Sequence, residues 1–294
     1  MIGDGGSASP RHIGGAVTSP GATGSDDANR FDFYRAQYER FGGELAAQMR
    51  REVYGEDLGQ QGWRSSAEER EIAELLVLHH GIRVLDVACG SGGPSLAMAD
   101  RSGCHVTGID IEPAAIAYAQ ALATRRGLVE RAYFLPLDCA GRLPFDEATF
   151  DAVLCVDAIN HFPDRFGTLV EWSRLLKPGG RLLFIDPTVL TGEVSKPELD
   201  VRASLGFYLF VPPGLNEKAI VAAGLKVLRV EDRTAAIAEI AGRWHAVREQ
   251  RESQLRAEEG SEFYARRQRF LETTAELAKS GRLSRLLFLA SRSD

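Results

Sequence analysis

The chain of 294 residues is 44% apolar and 26% charged, enough for one embellished globular domain or two small ones. Its 35 basic against 41 acidic residues leave a net charge of −6 with no long basic run, which argues against broad electrostatic binding of nucleic acid or an anionic membrane. No stretch approaches the roughly 18 unbroken apolar residues of a spanning helix, and the opening residues lack the basic and apolar regions of a secretory leader.

Cys89, Cys104, Cys139 and Cys155 stand far apart without a C-x-x-C pair. The expectation is a reduced, cytoplasmic protein without zinc or disulfides.

Residues 1–29 are rich in Gly, Ser, Ala and Pro and have no apolar period, so a disordered tail is expected there. Phe31 to Arg51 carries aromatic and apolar residues at helical spacing (Phe31, Tyr34, Tyr38, Phe41, Leu45), and Gly55 to Gly62 reads as a loop. Ser65 and the acidic residues after it predict a capped helix start, the helix running through Leu75 towards His79. Residues 30–80 therefore form a helical cap ahead of a core over 81–233.

That core alternates. Strand-length apolar runs fall at Arg83–Ala88, His105–Ile109, Ala132–Leu137, Asp151–Val156 and Arg181–Ile185, and helical patterns at Ser95–Arg101, Ala114–Arg126 and Arg165–Leu176. Such alternation predicts a doubly wound α/β fold with a mostly parallel sheet covered on both faces. "KPGG", Lys177 to Gly180, reads as the stop of a helix and the turn into the fifth strand. Gly206 to Gly214 reads as an aromatic loop, Asn216–Ala223 as a short helix and Leu225–Val230 as a strand. The helical pattern over 234–280 is too long for a connection and predicts an insertion, with a final strand inside 281–294.

An acid stands late in or just after each of the first five strands: Asp86, Asp110, Asp138, Asp157 and Asp186. Ligands of open parallel sheets bind outside the carboxyl ends of the strands. This rim suits a ligand with positive charge and ribose hydroxyls, and it is hostile to a polyphosphate. Gly90-Ser91-Gly92 lets backbone approach a ligand, but Ser95 stands where a dinucleotide fingerprint has its third glycine. Asp110, twenty residues beyond Gly90, is placed to accept both hydroxyls of a ribose. Asp86 could attract an ammonium directly or through water.

"VLDVACGSGG", "GIDIEP", "LDCAGRLPF…FDAVLCVDAINHF" and "LLKPGGRLLFID" together resemble the successive motifs of class I S-adenosylmethionine-dependent methyltransferases, over roughly Ile82 to Asp186. The resemblance implies a seven-stranded sheet whose seventh strand is antiparallel between the fifth and sixth. It implies S-adenosylmethionine as cofactor, with Ala88, Gly90 and Gly92 lining the methionine part and Asp157 beside it. Asp110 would then hold the ribose, Ile111 lie against the adenine, Asp138 meet the adenine amino group and Cys139 give a backbone contact. A smaller likeness joins "YGEDLGQQGW", Tyr54 to Trp63, to the G-E-D-x-H-x-G segment of glycine, sarcosine and dimethylglycine N-methyltransferases, with Gly59 in place of the His.

His161, just beyond the fourth strand, is the candidate general base. No metal-ligand spacing is present. The acceptor expected is a small molecule, because Asp157-Ala158-Ile159-Asn160 replaces the N-P-P-Y-like tetrapeptide of nucleic-acid amino methylases and the balance of charge is acidic; the Tyr54–Trp63 likeness puts an amine before an oxygen or carbon. Aromatics at Tyr34, Tyr38, Phe207, Tyr208, Phe210, Trp244, Phe263 and Tyr264 are candidates for its pocket. A nucleotide-dependent oxidoreductase and a non-catalytic cofactor-binding scaffold are the competing readings.

Overall fold

The computed structural model describes residues 34–293. The tail expected over 1–29, and Phe31, lie outside the described residues. Strands β1 (Arg83–Val87), β2 (His105–Asp110), β3 (Ala132–Pro136), β4 (Phe150–Val156), β5 (Leu176–Leu190), β6 (Leu225–Asp232) and β7 (Leu283–Arg292) form one sheet in the order β3-β2-β1-β4-β5-β7-β6. β7 runs antiparallel to both β5 and β6, and every other pairing is parallel. This is the doubly wound, mostly parallel sheet that the alternation and the resemblance imply.

The central strands are apolar on both faces because helices cover both. Leu85, Val87, Val153 and Phe184 pack on one side among Trp172 and Leu169, while Val84, Leu154 and Ile185 pack on the other with Ile72 and Met98. The labelled helices ahead of β6 are α1 (Glu44–Tyr54), α2 (Ser66–Leu75), α3 (Gly93–Ser102), α4 (Pro113–Arg125), α5 (Arg165–Leu175), α6 (Lys196–Arg202) and α7 (Leu215–Ala222); α1 and α6 pack on the later helical segment rather than on the sheet. Register pairs Asp86 with Gly108 and Leu154, so the ends of β1, β2 and β4 reach one rim together.

Four local readings change. The helix expected from Phe31 to Arg51 is broken: residues 34–39 are helical, 40–43 turn, and Gly43 is extended (φ −68°, ψ 150°) as the N-cap of α1. Two adjacent glycines, poor helix formers, sit at that break. α2 stops at Leu75 rather than His79. "KPGG" lies inside β5 as a bulge: Phe150 pairs with Leu176 and Ala152 with Arg181, so Lys177 to Gly180 oppose Asp151 alone, and Lys177 Nζ donates to its carboxylate at 2.7 Å. α6 went unread although Ser195 and Glu198 form the reciprocal cap that announces a helix.

The 234–280 segment folds as α8 (Thr234–Glu249), α9 (Glu252–Glu259) and α10 (Ser261–Lys279), the last break falling at Gly260 (φ 86°). Ile240, Trp244, Phe270 and Leu271 of this unit share an apolar cluster with Met49, Val53 and Tyr54 of α1. Trp244 Nε1 donates to Tyr54 Oη at 3.1 Å, and that hydroxyl donates to Gly62 O at 2.7 Å.

The cap also docks on the core through the loop before Trp63. Ser91 Oγ donates to Gly59 O, and Gly59 holds φ 80°, a conformation a histidine would adopt only under strain. A Cβ on Gly93 would stand 1.6 Å from Leu58 O, so only glycine lets this backbone lie on the start of α3. Gly93→Ala is expected to destabilise the chain by about 3 kcal/mol or more. Urea unfolding checks this, and limited proteolysis should show earlier cleavage near Arg51.

Candidate active site

Beyond β1 the chain turns sharply, with Ala88 (φ 57°), Gly90 (φ 56°) and Gly92 (φ 69°) all left-handed. Asp110 braces this turn from the end of β2. Its two carboxylate oxygens accept the amides of Gly90 (2.8 Å) and Glu112 (2.9 Å), one each, leaving further lone pairs for a ligand. Burial pushes the Asp110 carboxyl up to about 6, against the pull of the Glu112 and Gly90 amides.

A cavity of about 710 Å³ opens above this turn. Ala88, Asp110, Ile111, Asp138, Cys139, Asp157 and His161 line it, bringing together seven of the residues singled out from sequence. Asp138, exposed, accepts the Ala140 amide at 2.9 Å, and burial pushes the Cys139 thiol well up, which leaves it a packing and backbone residue.

Three of the singled-out residues do not line it: Asp86 lies beneath the turn, and Gly90 and Gly92 form it. Asp86 is buried and its carboxylate is taken by the Ser95 hydroxyl. Burial raises its pKa, with Arg64 and Ser95 opposing. It can therefore act on a ligand only at a distance, because the residue that replaces the third fingerprint glycine occupies it. A Cβ on Gly92 would meet Phe134 and Ala119 at 2.7 Å, and one on Gly90 would meet Tyr38 Oη at 2.6 Å. These glycines admit neighbouring side chains and shape the turn.

Asp157 (φ 58°) sits at the end of β4 and is committed three ways. Its Oδ2 accepts the Trp63 amide at 2.8 Å, and its carboxylate receives Arg285 Nε at 2.7 Å and Nη2 at 3.1 Å. Arg285, wholly buried in β7, also donates to both oxygens of Glu68 at 2.7 and 2.9 Å.

His161 ends a single 3₁₀ turn, Ile159–His161. Its Nδ1 lies 2.7 Å from Phe207 O, and a carbonyl can only accept, so Nδ1 carries a proton. In the neutral ring the lone pair is on Nε2, which faces Tyr34 Oη at 3.3 Å and Asn160 Nδ2 at 3.4 Å. The Tyr208 ring stands edge-on to the imidazole at 4.9 Å.

Of the candidate pocket aromatics, Tyr34, Tyr38, Phe207, Tyr208 and Trp244 line the cavity, whereas Phe210, Phe263 and Tyr264 do not. Sequence reading missed Trp63, Phe270, Arg267 and Glu112, which do. Glu112 had a signal: it caps α4 ahead of Pro113, accepting the Ala114 amide at 3.2 Å. Its Oε2 is buried with no hydrogen-bond partner among the described residues.

The family profile described as "Methyltransferase domain" matches residues 85–184. The chain is 32% identical to a sterol 24-C-methyltransferase of Gibberella zeae over 57% of its own length and 45% of that protein. It is 33% identical to a 27-O-demethylrifamycin SV methyltransferase of Amycolatopsis mediterranei over 46% of this chain and 53% of that one. An O-methyltransferase of Aspergillus nomiae is 33% identical over 55% of this chain and 72% of its own length. The chain thus spans about half the length of the first two relatives. A solved structure from Galdieria sulphuraria, of a candidate sarcosine dimethylglycine methyltransferase, covers 90% of this chain and 99% of that one at a TM-score of 0.74 and 22% identity. The chain belongs to the class I S-adenosylmethionine-dependent methyltransferase family.

The residues at the strand ends fit that family's cofactor. A ribose presents two hydroxyl donors, and here the free lone pairs of Asp110 and the orphaned Oε2 of Glu112 await donors on one wall. If the ribose hydroxyls bond Asp110 only in its ionised form, S-adenosylhomocysteine affinity should be constant above about pH 6 and weaken about tenfold per pH unit below it. Calorimetric titration from pH 8 to 4.5 measures this, and Asp110→Asn should flatten the profile.

Proposed function

We propose that this protein transfers a methyl group from S-adenosylmethionine to a small-molecule acceptor by in-line displacement. The observation that carries the reading is one cavity lined both by the carboxylates of Asp110 and Glu112 and by His161 among the rings of Tyr34 and Tyr208. The sulfonium of the bound cofactor supplies an activated methyl group, so the chain's task is alignment and exclusion of water.

In this reading Asp110 and Glu112 hold the ribose hydroxyls, Ile111 lies against the adenine, and Asp138 accepts from its amino group with Cys139 offering backbone. Ala88 and Asp157 border the methionine part, Gly90 and Gly92 shape the turn, and Asp86 below the turn adds negative potential. As the S–CH3 bond breaks and the acceptor–CH3 bond forms, the acceptor's proton passes to His161 Nε2, whose ring the Phe207 carbonyl holds in the required tautomer. An amine acceptor is favoured by the Tyr54–Trp63 likeness and by the Galdieria structure. Oxygen or carbon acceptors are favoured by the named relatives.

The segment ending at Trp63, described from residue 34, and residues 234–280 are read as one shared lid, since Tyr34, Tyr38, Trp63, Trp244, Phe270 and Leu271 all line the cavity and Trp63 stacks on Phe270 at 6.3 Å.

His161→Ala is expected to lower single-turnover methyl transfer by about 10²–10⁴-fold with S-adenosylhomocysteine affinity unchanged. A parallel fall in cofactor affinity and melting temperature, with turnover kept, would assign the ring to packing. Titration with NAD in place of S-adenosylhomocysteine should give no heat, and the reverse result would favour the oxidoreductase. For the lid, hydrogen exchange with S-adenosylhomocysteine plus acceptor should protect both segments together; protection confined to the strand-end loops counts against it.

A further inference from the structure

A second cavity, of about 410 Å³, lies against the first. Gln37, Gln61, Trp244 and Arg267 line both, so a single layer of side chains separates the two. Gln37 and Gln61 come from the 34–63 segment, Trp244 from α8 and Arg267 from α10, and the junction is therefore the seam between the two pieces of chain read above as a lid. Trp244 Nε1 is spent on Tyr54 Oη at 3.1 Å. Gln61 Nε2 is buried with no hydrogen-bond partner among the described residues. An unmet buried amide is costly, and a seam made only to seal would pair it. Gln37 and Gln61 are long, unbranched and partly exposed, so their side chains can rotate to widen the seam.

Phe41, Met49 and Leu255, all buried, make an apolar wall of the second cavity with Leu45 and Phe263. Its charged side chains mostly have partners already. Arg50 bonds Asp57 at 2.7 Å, Arg248 bonds Glu259, and Arg40 donates to Glu258 O at 3.3 Å. Glu39, Arg40, Glu44 and Glu258 are exposed, so the cavity meets solvent on that side. Burial brings Arg267 down to about 10, and at neutral pH it stays cationic and repels a positive group at the junction. An apolar cavity of roughly 150 Å³ holds a benzene, so this one has room for a larger apolar group.

We propose that the acceptor is elongated: its reacting end lies at His161, and an uncharged, apolar tail passes the seam at Gln61 and Trp244 into the second cavity. The proposal rests on the methyltransferase reading and names the acceptor class for that same site. A tail in the seam buries apolar surface against the Trp244 ring, and an oxygen carried in it meets Gln61 Nε2. It also stops solvent from reaching the sulfonium by way of the second cavity, so tail and lid together exclude water. Acceptors without a tail leave that way open.

Neutral 4-alkoxyphenols with tails of one, four and eight carbons, titrated calorimetrically into the full chain saturated with S-adenosylhomocysteine, test this. Affinity is expected to rise about a hundredfold or more from the one-carbon to the eight-carbon ether as methylenes are buried. Ala46 lines only the second cavity, so Ala46→Trp should remove at least about tenfold of that rise while the one-carbon ether and S-adenosylhomocysteine bind as before. Photolabelling of the unaltered chain gives a readout that stands even if Ala46→Trp fails to fold. An eight-carbon ether with a diazirine at the tail end should label the second cavity, at Leu45, Met49, Leu255 or Phe263. The same ether with the diazirine on its ring should label the first cavity, at Phe162 or Phe207. Flat affinity across the series, binding of none of the ethers, or a rise untouched in folded Ala46→Trp overturns the proposal. So does labelling of a single cavity by both diazirines, which in the second cavity would mark a separate effector site. Failure of S-adenosylhomocysteine itself to bind would instead overturn the methyltransferase reading beneath it.

Discussion

Arg285 joins four parts of the chain at one buried point. From β7 it reaches Glu68 in α2 and Asp157 at the end of β4, and Asp157 in turn holds the Trp63 amide ahead of α2. Burial alone would pull the guanidinium down, yet the Asp157 and Glu68 charges outweigh it and raise its pKa. Removing one member would strand buried charge and cost about 3–5 kcal/mol, although the intact triad need add little net stability over apolar packing. Its consequence is positional. The left-handed backbone of Asp157, the Gly62–Trp63 wall of the cavity and the antiparallel last strand are held in one geometry. Gly62 belongs to the same constraint, since a Cβ there would approach Asp157 Oδ2 to 2.8 Å.

From that joint the cavity acquires its chemical polarity. The parallel strands deliver carboxylates to the rim because β1, β2 and β4 end in register, and Asp110 pays for its place there with a raised pKa. The opposite wall comes from outside the sheet, from the 34–63 segment, the loop around Tyr208, and the helices of the insertion. His161 lies at the seam, since its backbone follows β4 and its imidazole is held by the Phe207 carbonyl. The carboxylates and most of the aromatic rings of the cavity thus reside on separately encoded pieces of chain.

That separation explains what could be read from sequence. Strands buried on both faces are continuous apolar runs, so their limits fell within a residue or two for β1 to β4, and Asp110 declared itself by distance from the glycine turn. Asp86 carried the same signal but points under the turn, because Ser95 meets it; a strand-end position does not specify which way a side chain is satisfied. β5 was read too short because its bulge at Lys177 to Gly180 looks like a turn and because Asp186 binds the Thr188 amide at 2.9 Å near its second irregularity. Arg285 and Glu68 are 217 residues apart, and nothing periodic or local reports their pairing.

The cap and the glycine turn are mutually dependent. Ser91 bonds Gly59, Gly93 admits the Leu58 carbonyl, and the Tyr38 hydroxyl covers Gly90, whose amide is held by Asp110. Whatever fills the space above Asp110 therefore meets a turn already clasped from above by the 34–63 segment, and the same segment packs through Tyr54 on Trp244 of the insertion. Order imposed at the turn has a continuous covalent and packed route to the insertion, because the 34–63 segment shares one apolar cluster with the insertion and is bolted to the turn.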